Sequence, residues 1–395
     1  MIPIPGDGPW PAAIEVAQRL LESGYETYFA GGCVRDLLLG EPVHDIDIAT
    51  AAVPEVVESL FERTITVGKQ FGIIIVQVPA GGETVQAVEV ATFRGDGVYA
   101  DGRHPGSVRF TSACEDAQRR DFTINALLMD PRDGRISDHV GGLDDIRGRI
   151  LRCVGDPRAR LHEDRLRVLR GLRFAARFGL TIEPVTRAAL GGTALDGLSR
   201  ERIWQEFDKG SAMPTAAAWA ALLIACGHAA AMLPAGARAP DAPAMGRVHG
   251  SGLPVRLAAW LWKTGPCPEA WWQSQPLSRQ VQRASRWLLE QRHAIDDAIG
   301  WRRAAFASAA EGLPELLHAV DGARHAACCA AYEWLASQPP LLRPDGATLQ
   351  SLGVAVGPAI GRIQRDLIAF QLESGTLAPA DLPGWVGAWL VSHPR

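Results

Sequence analysis

Asp45 and Asp47 stand two residues apart in His44-Asp45-Ile46-Asp47-Ile48, a run that reads as a β-strand. A period of two puts both carboxylates on one face of that strand. Two carboxylates so placed repel unless a cation lies between them, and hard oxygen ligands beside a phosphate suit Mg²⁺. Just ahead lies Tyr28-Phe29-Ala30-Gly31-Gly32-Cys33-Val34-Arg35-Asp36, which reads as a strand, a glycine turn and a short helix. Gly31 and Gly32 let the backbone approach a phosphate closely. The helix that follows would aim its free N–H groups at that anion, and Arg35 could add a charge-assisted bond. Glu89 falls on a strand expected over residues 85–93, on one face with Ala87 and Ala91; it is either a third acid near the metal or a plain solvent-facing side chain. Taken singly, Gly-Gly is a turn and Asp-x-Asp a solvated strand edge. In this order and this close together, they point to metal-dependent phosphoryl or nucleotidyl transfer.

A second set of candidates follows in Asp116-Ala-Gln-Arg119-Arg120-Asp121-Phe122-Thr123-Ile124-Asn125. Asp121 could simply cap an apolar helix running on from it. The two arginines carry the planar fork that matches phosphate. A third set lies on an amphipathic helix expected over residues 161–178, which carries Glu163, Asp164, Arg167 and Arg170. Asp164 and Arg167, three apart, share a helix face, and their plainest reading is an intrahelical ion pair. Leu166, Leu169, Leu172 and Phe174 suit its buried side.

These side chains need a scaffold. Apolar spacing predicts a helix over residues 10–23, and Pro54 starts another over 53–62. Strands are expected over 64–67, 73–78 and 85–93, around Gly68-Lys69-Gln70-Phe71-Gly72. This alternation implies a mixed sheet with one open face. Residues 95–109 form a glycine-rich polar loop, flanked by Arg94 and bearing Asp96, Asp101 and Arg103. Residues 214–232 read as one alanine-rich helix, 233–256 as a loop or disordered linker, and 257–335 as mostly helical.

The chain has 395 residues, enough for two or three domains. Its net charge of −4 hides a basic block of ten arginines between Arg147 and Arg177, opposed by Asp156, Glu163 and Asp164. Such a block is the footprint of a phosphate-binding surface. No apolar run reaches the roughly 20 residues of a membrane span. Met1-Ile2-Pro3-Ile4-Pro5 lacks a signal peptide's basic and apolar regions. Seven scattered cysteines with no Cys-x-x-Cys pair suggest neither zinc nor disulfides, so a reducing cytoplasm is the expected home.

The motifs together resemble the tRNA nucleotidyltransferase/poly(A) polymerase family, which includes the bacterial CCA-adding enzymes. The resemblance rests on Gly31-Gly32-x-Val34-Arg35-Asp36 with Asp45-x-Asp47, on Arg119-Arg120-Asp121-Phe122-Thr123-x-Asn125, and on Glu163-Asp164-x-x-Arg167. It is specific over about residues 26–207. It implies an α+β fold with a polymerase-β-like mixed-sheet head (1–147), an all-helical neck (148–210) and a helical body and tail (211–395) that grips tRNA. It implies two Mg²⁺ ions on Asp45 and Asp47, serving in-line attack of the RNA 3′-OH on the α-phosphorus with release of pyrophosphate, and Glu89 as a further catalytic candidate. Gly31, Gly32, Arg35, Asp116, Arg119, Arg120, Asp121 and Asn125 would hold the nucleotide's triphosphate and ribose, joined by Glu163, Asp164, Arg167 and Arg170. CTP, ATP and tRNA are the implied substrates, with no membrane and no protein partner. The loop at 95–109, which in the family helps switch from adding C to adding A, favours full CCA addition.

Within the resemblance, Glu163-Asp164-x-x-Arg167 is a protein template, and its chemistry can be derived. A carboxylate accepts hydrogen bonds and a guanidinium donates them. Cytosine and adenine each present an amino donor beside a ring-nitrogen acceptor, which an Asp–Arg pair complements. Guanine and uracil present the reverse. Each mispaired buried polar group costs about 1–3 kcal/mol, and two give on the order of a hundredfold discrimination. Glu163 would orient Arg167. Leu198–Phe207 resembles the family's last short motif, where Glu201, Arg202 and Glu206 would buttress the template helix. Residues 255–263 lack the His-Asp pair that some relatives carry there. The alternatives are a poly(A) polymerase, a partial enzyme adding only CC or only A, a silent tRNA-binding protein, and a nucleotidyltransferase acting on a small molecule or protein.

Overall fold

The computed structural model describes residues 2–66, 72–79, 85–96, 108–291, 298–307 and 312–393. Val67, the 68–72 turn except Gly72, and most of the 95–109 loop, including Asp101 and Arg103, lie outside them. The chain divides into two compact units, one of residues 1–210 with 221–232, the other of 211–220 with 233–395.

The first unit is built on a seven-stranded mixed sheet. Its strands are β1 (Thr27–Ala30), β2 (Asp47–Thr50), β3 (Thr64–Ile65), β4 (Ile73–Pro79), β5 (Val85–Thr92), β8 (Leu128–Met129) and β9 (Ile136–Ser137), in the order β3-β4-β5-β2-β1-β8-β9. Strands β6 (Arg94–Asp96) and β7 (Val108–Phe110) form a separate antiparallel ribbon, and β10 (Ile150–Leu151) pairs parallel with β11 (Thr181–Ile182). Within the large sheet only β2 and β5 run parallel, with Asp47 directly opposite Glu89. Helix α1 (Trp10–Glu22) packs against β1, β2, β4 and β5. Its Trp10, Val16 and Leu20 are buried, and Trp10 meets Phe29 edge-on at 5.3 Å between ring centres. Ile74, Val76, Val88 and Val90 alternate into the core, as a half-buried sheet requires. Helices α2 (Gly32–Leu39) and α3 (Pro54–Leu60) complete the early part. Asp45 lies ahead of β2, not on it, so the expected strand is shorter than the Asp45–Asp47 pair.

Helices α4 (Ala113–Gln118), α5 (Gly142–Arg147), α6 (Pro157–Glu163), α7 (Leu166–Phe178), α8 (Pro184–Gly192) and α9 (Arg200–Ser211) follow. Two expectations fail here. No α-helix runs on from Asp121: a short 3₁₀ turn, Thr123–Asn125, is all that fits before β8 must pair with β1. The amphipathic helix over 161–178 is broken at Asp164, whose backbone is extended and whose Oδ1 accepts from the Leu166 N–H at 3.0 Å. Pro157 and its Asp156 cap start α6, and Asp164 restarts the chain as α7.

The remaining helices are α10 (Ala216–Ala225), α11 (Ala242–Val248), α12 (Leu253–Leu261), α13 (Glu269–Gln273), α14 (Arg279–Glu290), α15 (Ala298–Ala307), α16 (Leu313–Val320), α17 (Gly322–Ser337), α18 (Gly346–Ser351), α19 (Pro358–Ser374) and α20 (Leu382–Ser392). The single helix expected over 214–232 is interrupted at Gly227, which takes φ +78°, before a 3₁₀ turn, His228–Met232. The linker expected over 233–256 is corrected more strongly. It contains α11 and the start of α12, with Ala244, Met245, Val248 and Val255 buried. Pro243 and Pro254, which suggest a loop, sit in the first turns of these helices, where a missing N–H is harmless. At the C-terminal end, Leu349, Ile363, Leu367, Val386 and Trp389 form their own core. No helix among the described residues is long and apolar enough to cross a membrane.

Candidate active site

A cleft of about 520 Å³ opens in the first unit, between the β1–β2–β5 part of the sheet and the α4–α7 segment. Gly31, Gly32, Arg35, Asp47, Glu89, Arg119, Arg120, Asp121, Asn125, Asp164, Arg167 and Arg170 line it. Three of the expected residues stand behind or beside this lining: Asp45, Asp116 and Glu163.

Gly31 ends β1 with φ +72° and ψ −121°, a conformation open chiefly to glycine. A Cβ there would stand 2.7 Å from Arg120 Nη1. The glycine thus admits both the turn and a guanidinium against it. The parallel β2–β5 register then sets Asp47 beside Glu89. Both carboxyls are held above their ordinary range. For Asp47 the causes are burial and then Asp45, opposed by Arg120 and Arg35. For Glu89 they are burial and then the charges of Asp47 and Asp45, opposed by Arg94. Asp45 is itself exposed. Among the described residues no three His, Cys, Asp or Glu side chains form a complete metal cage. Mg²⁺ does not need one, since it keeps several waters and binds one or two carboxylates plus substrate phosphates. Crowded carboxyls that resist ionisation are the surplus of negative charge such an ion would relieve, so the donor set fits it.

Opposite the acids stands a set of arginines, each fixed from behind. Asp116, 2% exposed, takes Arg119 Nη2 on Oδ1 at 2.8 Å and Arg120 Nη2 on Oδ2 at 3.1 Å, and also accepts the Arg94 backbone N–H. Burial opposes its ionisation, but Arg120 and Arg119 outweigh this and leave its carboxyl below the usual range. Asp116 is therefore the clamp of two arginines. Asp121 does not cap a helix. Its Oδ1 accepts from the Phe122 N–H and from Asn125 Nδ2 at 2.9 Å, and its Oδ2 from Arg170 Nε at 2.9 Å. Despite burial, Arg170 and Asn125 hold its carboxyl at about 2. Asn125 Oδ1 in turn accepts from Arg35 Nη1 at 2.5 Å, and Arg35 pairs with Asp36.

Glu163 Oε2 accepts from Arg160 Nη1 at 2.8 Å and from Arg167 Nη1 at 2.6 Å. Arg160 and Arg167 also bond the Arg119 carbonyl, tying α6 and α7 to the end of α4. Asp164 and Arg167 have different ion-pair partners: Asp164 Oδ2 accepts from Arg202 Nη2 at 2.8 Å. Arg202 thus reaches the expected template residue, and Glu206 pairs with Arg173 at 2.6 Å; Glu201 is exposed.

Two cleft residues go beyond the candidates drawn from the sequence. Arg94, counted there only as flanking a loop, lines the cleft near Glu89. Phe174, read as a buried helix position, carries the guanidinium groups of Arg35, Arg170 and Arg173 at 4.7–5.1 Å from its ring centre. The Arg170-x-x-Arg173-Phe174 spacing on α7 was the available signal, since cations stack on aromatic faces.

Known proteins resemble this chain. Residues 27–152 match the model of the poly(A) polymerase head domain. The CCA-adding enzyme of Streptococcus gordonii is 44% identical over 200 residues, covering 50% of this chain and 49% of that protein. That of Geobacillus stearothermophilus is 44% identical over 222 residues, covering 55% and 54%. In sequence, the match spans about half the length of these curated relatives. In structure it is wider. The crystal structure of the Bacillus stearothermophilus CCA-adding enzyme in complex with CTP superposes with a TM-score of 0.80 at 30% identity, over 98% of both chains. The Thermotoga maritima CCA-adding enzyme complexed with tRNA shares the fold, with a TM-score of 0.71 at 20% identity. The chain belongs to the family of CCA-adding enzymes built on a poly(A) polymerase head domain.

Proposed function

We propose that the protein is a template-independent RNA nucleotidyltransferase that completes tRNA 3′ ends with CCA, drawing on CTP and ATP. The observation that carries this reading is one cleft in which Asp47 and Glu89 face Arg119, Arg120, Arg167 and Arg170. Acids for a metal and arginines for a triphosphate belong together only in phosphoryl chemistry. Full-length likeness to a CTP-bound CCA-adding enzyme supports the substrate class.

Enzymes of this type generally use divalent metals. Asp45 and Asp47 would hold Mg²⁺, with Glu89 beside them. Held there, two such ions would supply activation of the RNA 3′-hydroxyl and stabilisation of the leaving pyrophosphate. The chain's own residues bind and orient. Arg119 and Arg120, braced by Asp116, meet the triphosphate, and the Gly31 turn lets it approach the backbone. Asn125 and Asp121 would hold the ribose. Arg167 is set by Glu163 and Asp164 by Arg202, so a base that offers an amino donor beside a ring acceptor is matched and the reverse pattern is refused. All seven cysteines are free thiols, which suits a reducing cytoplasm.

Asp47→Ala should abolish CTP incorporation while tRNA affinity, followed by fluorescence anisotropy, stays within about twofold. A variant extending tRNA at the wild-type rate would refute the assignment of the acids.

A further inference from the structure

Helix α14 carries Arg279, Arg283 and Arg286 at spacings of four and three, which places them along one stripe of the helix. Ala284, Ser285, Leu288 and Leu289 form its buried side. The three arginines, with Gln282, Trp287 and Glu290, line an open groove of about 380 Å³ in the second unit. The charges run against the helix dipole at both ends: Arg279 lies in the first turn and Glu290 in the last. Such a placement is not chosen for helix stability. Arg286 pairs with Glu269 and lies 5.9 Å over the Trp272 ring. Arg279 and Arg283 are exposed, and among the described residues neither has a carboxylate partner. Half-buried Trp287 adds a flat aromatic surface to the same groove.

We propose that this face of α14 is a binding site for RNA phosphates, one on which the tRNA backbone rests. This rests on the tRNA reading above and names the residues that serve it. Guanidinium forks match phosphate oxygens, and an indole face accepts a base or ribose. From Arg279 to Arg286 the helix rises about 10 Å, enough to meet two or three successive phosphates. In a chain with net charge −4 such a stripe is a local basic patch, as the 147–177 block is in the first unit.

The test uses the full chain carrying both Arg279→Gln and Arg283→Gln. Its tRNA affinity is measured by anisotropy at several salt concentrations, and KM is measured for tRNA and for CTP. The tRNA Kd and KM should rise roughly tenfold. The slope of log affinity against log salt should shrink by about one to two, since each lost phosphate contact contributes about 0.7 to 0.9. The KM for CTP and kcat at saturating tRNA should not move. Arg279→Lys with Arg283→Lys should keep most of the salt slope. Unchanged tRNA affinity in the glutamine variant, or an equal loss in the lysine variant, would overturn the proposal. A wild-type protein that binds tRNA but adds no nucleotide would sink the transferase reading and leave the binding comparison to decide α14 by itself.

Discussion

At the scale of single residues, the cleft is organised by groups that hold other groups still. Asp116 gives both carboxylate oxygens, and Glu163 its Oε2, to arginines that line the cleft or tie its helices together. Gly31 shows how tight the fit is. Gly31→Ala forces a positive φ on a side chain and drives its Cβ to 2.7 Å from Arg120 Nη1. It should cost roughly 1–3 kcal/mol of stability and lower kcat/KM for CTP at least tenfold. Gly32→Ala meets only Arg35 Nη2 at 3.6 Å and should leave the melting temperature within about 2 °C. Equal effects of the two, by thermal unfolding and initial rates, would deny Gly31 its special place. Asp121 makes a second test. Its folded carboxyl titrates at about 2, against 3.8 for an ordinary aspartate. Its contribution is therefore fully present above pH 3.8 and is lost as pH falls through about 2. At about 1.4 kcal/mol per unit this is on the order of 2 kcal/mol. Between pH 4 and 2 the wild type should lose about that much more unfolding free energy than Asp121→Asn. Parallel pH profiles would contradict the Arg170–Asp121 pairing. The residue types and spacings of this cleft were plain in the chain. The resemblance names Glu163 as the partner of Arg167, and the two are bonded; the partner of Asp164 was not legible, because Asp164 and Arg167 satisfy a helix-face rule as readily as Asp164 satisfies Arg202.

At the scale of elements, five strands of the sheet were legible, whereas β8, β9 and the helix breaks were not. The β-branched apolar run over 73–78 and the alternation over 85–92 read as strands, and both bury alternate residues. The break between α6 and α7 has no such pattern: the apolar spacing runs on through Asp164, and only its side-chain bond to the Leu166 N–H ends one helix and begins the next. That break is useful. It lifts Asp164 out of the helix and hands it to α9 through Arg202. Arg202→Met should therefore change choice more than speed. Misincorporation of UTP or GTP relative to CTP should rise on the order of tenfold, equivalent to about 1.4 kcal/mol, with kcat for CTP falling less. Selectivity identical to wild type would mean that α9 supports only the packing of α7. The prolines at 243 and 254 misled in the opposite sense. Each marks a helix start, and a loop was read only because glycine and alanine surround them.

At the scale of the whole molecule, sequence and structure carry different reach. Motifs end near residue 207, and sequence identity to the curated relatives covers about half of the chain, yet the structural match to the CTP-bound relative covers 98% of it. A catalytic cleft needs particular side chains, whereas a helical core needs only apolar groups at helical spacing, which many sequences supply. The two units are therefore unequal in what their residues announce: the first declares a chemistry, the second a scaffold that carries the basic stripe of α14. The most direct measurement is single-nucleotide incorporation with Mg²⁺ on three tRNA transcripts, ending at the discriminator base, at C and at CC. Each of the four NTPs is offered separately, and then CTP with ATP. Two additions of C, one of A, and then a stop, with UTP and GTP refused, are the predicted result. An unlimited ladder of A, a halt after CC, or A added only to the CC-ended transcript would contradict CCA addition and assign the cleft to a sister activity.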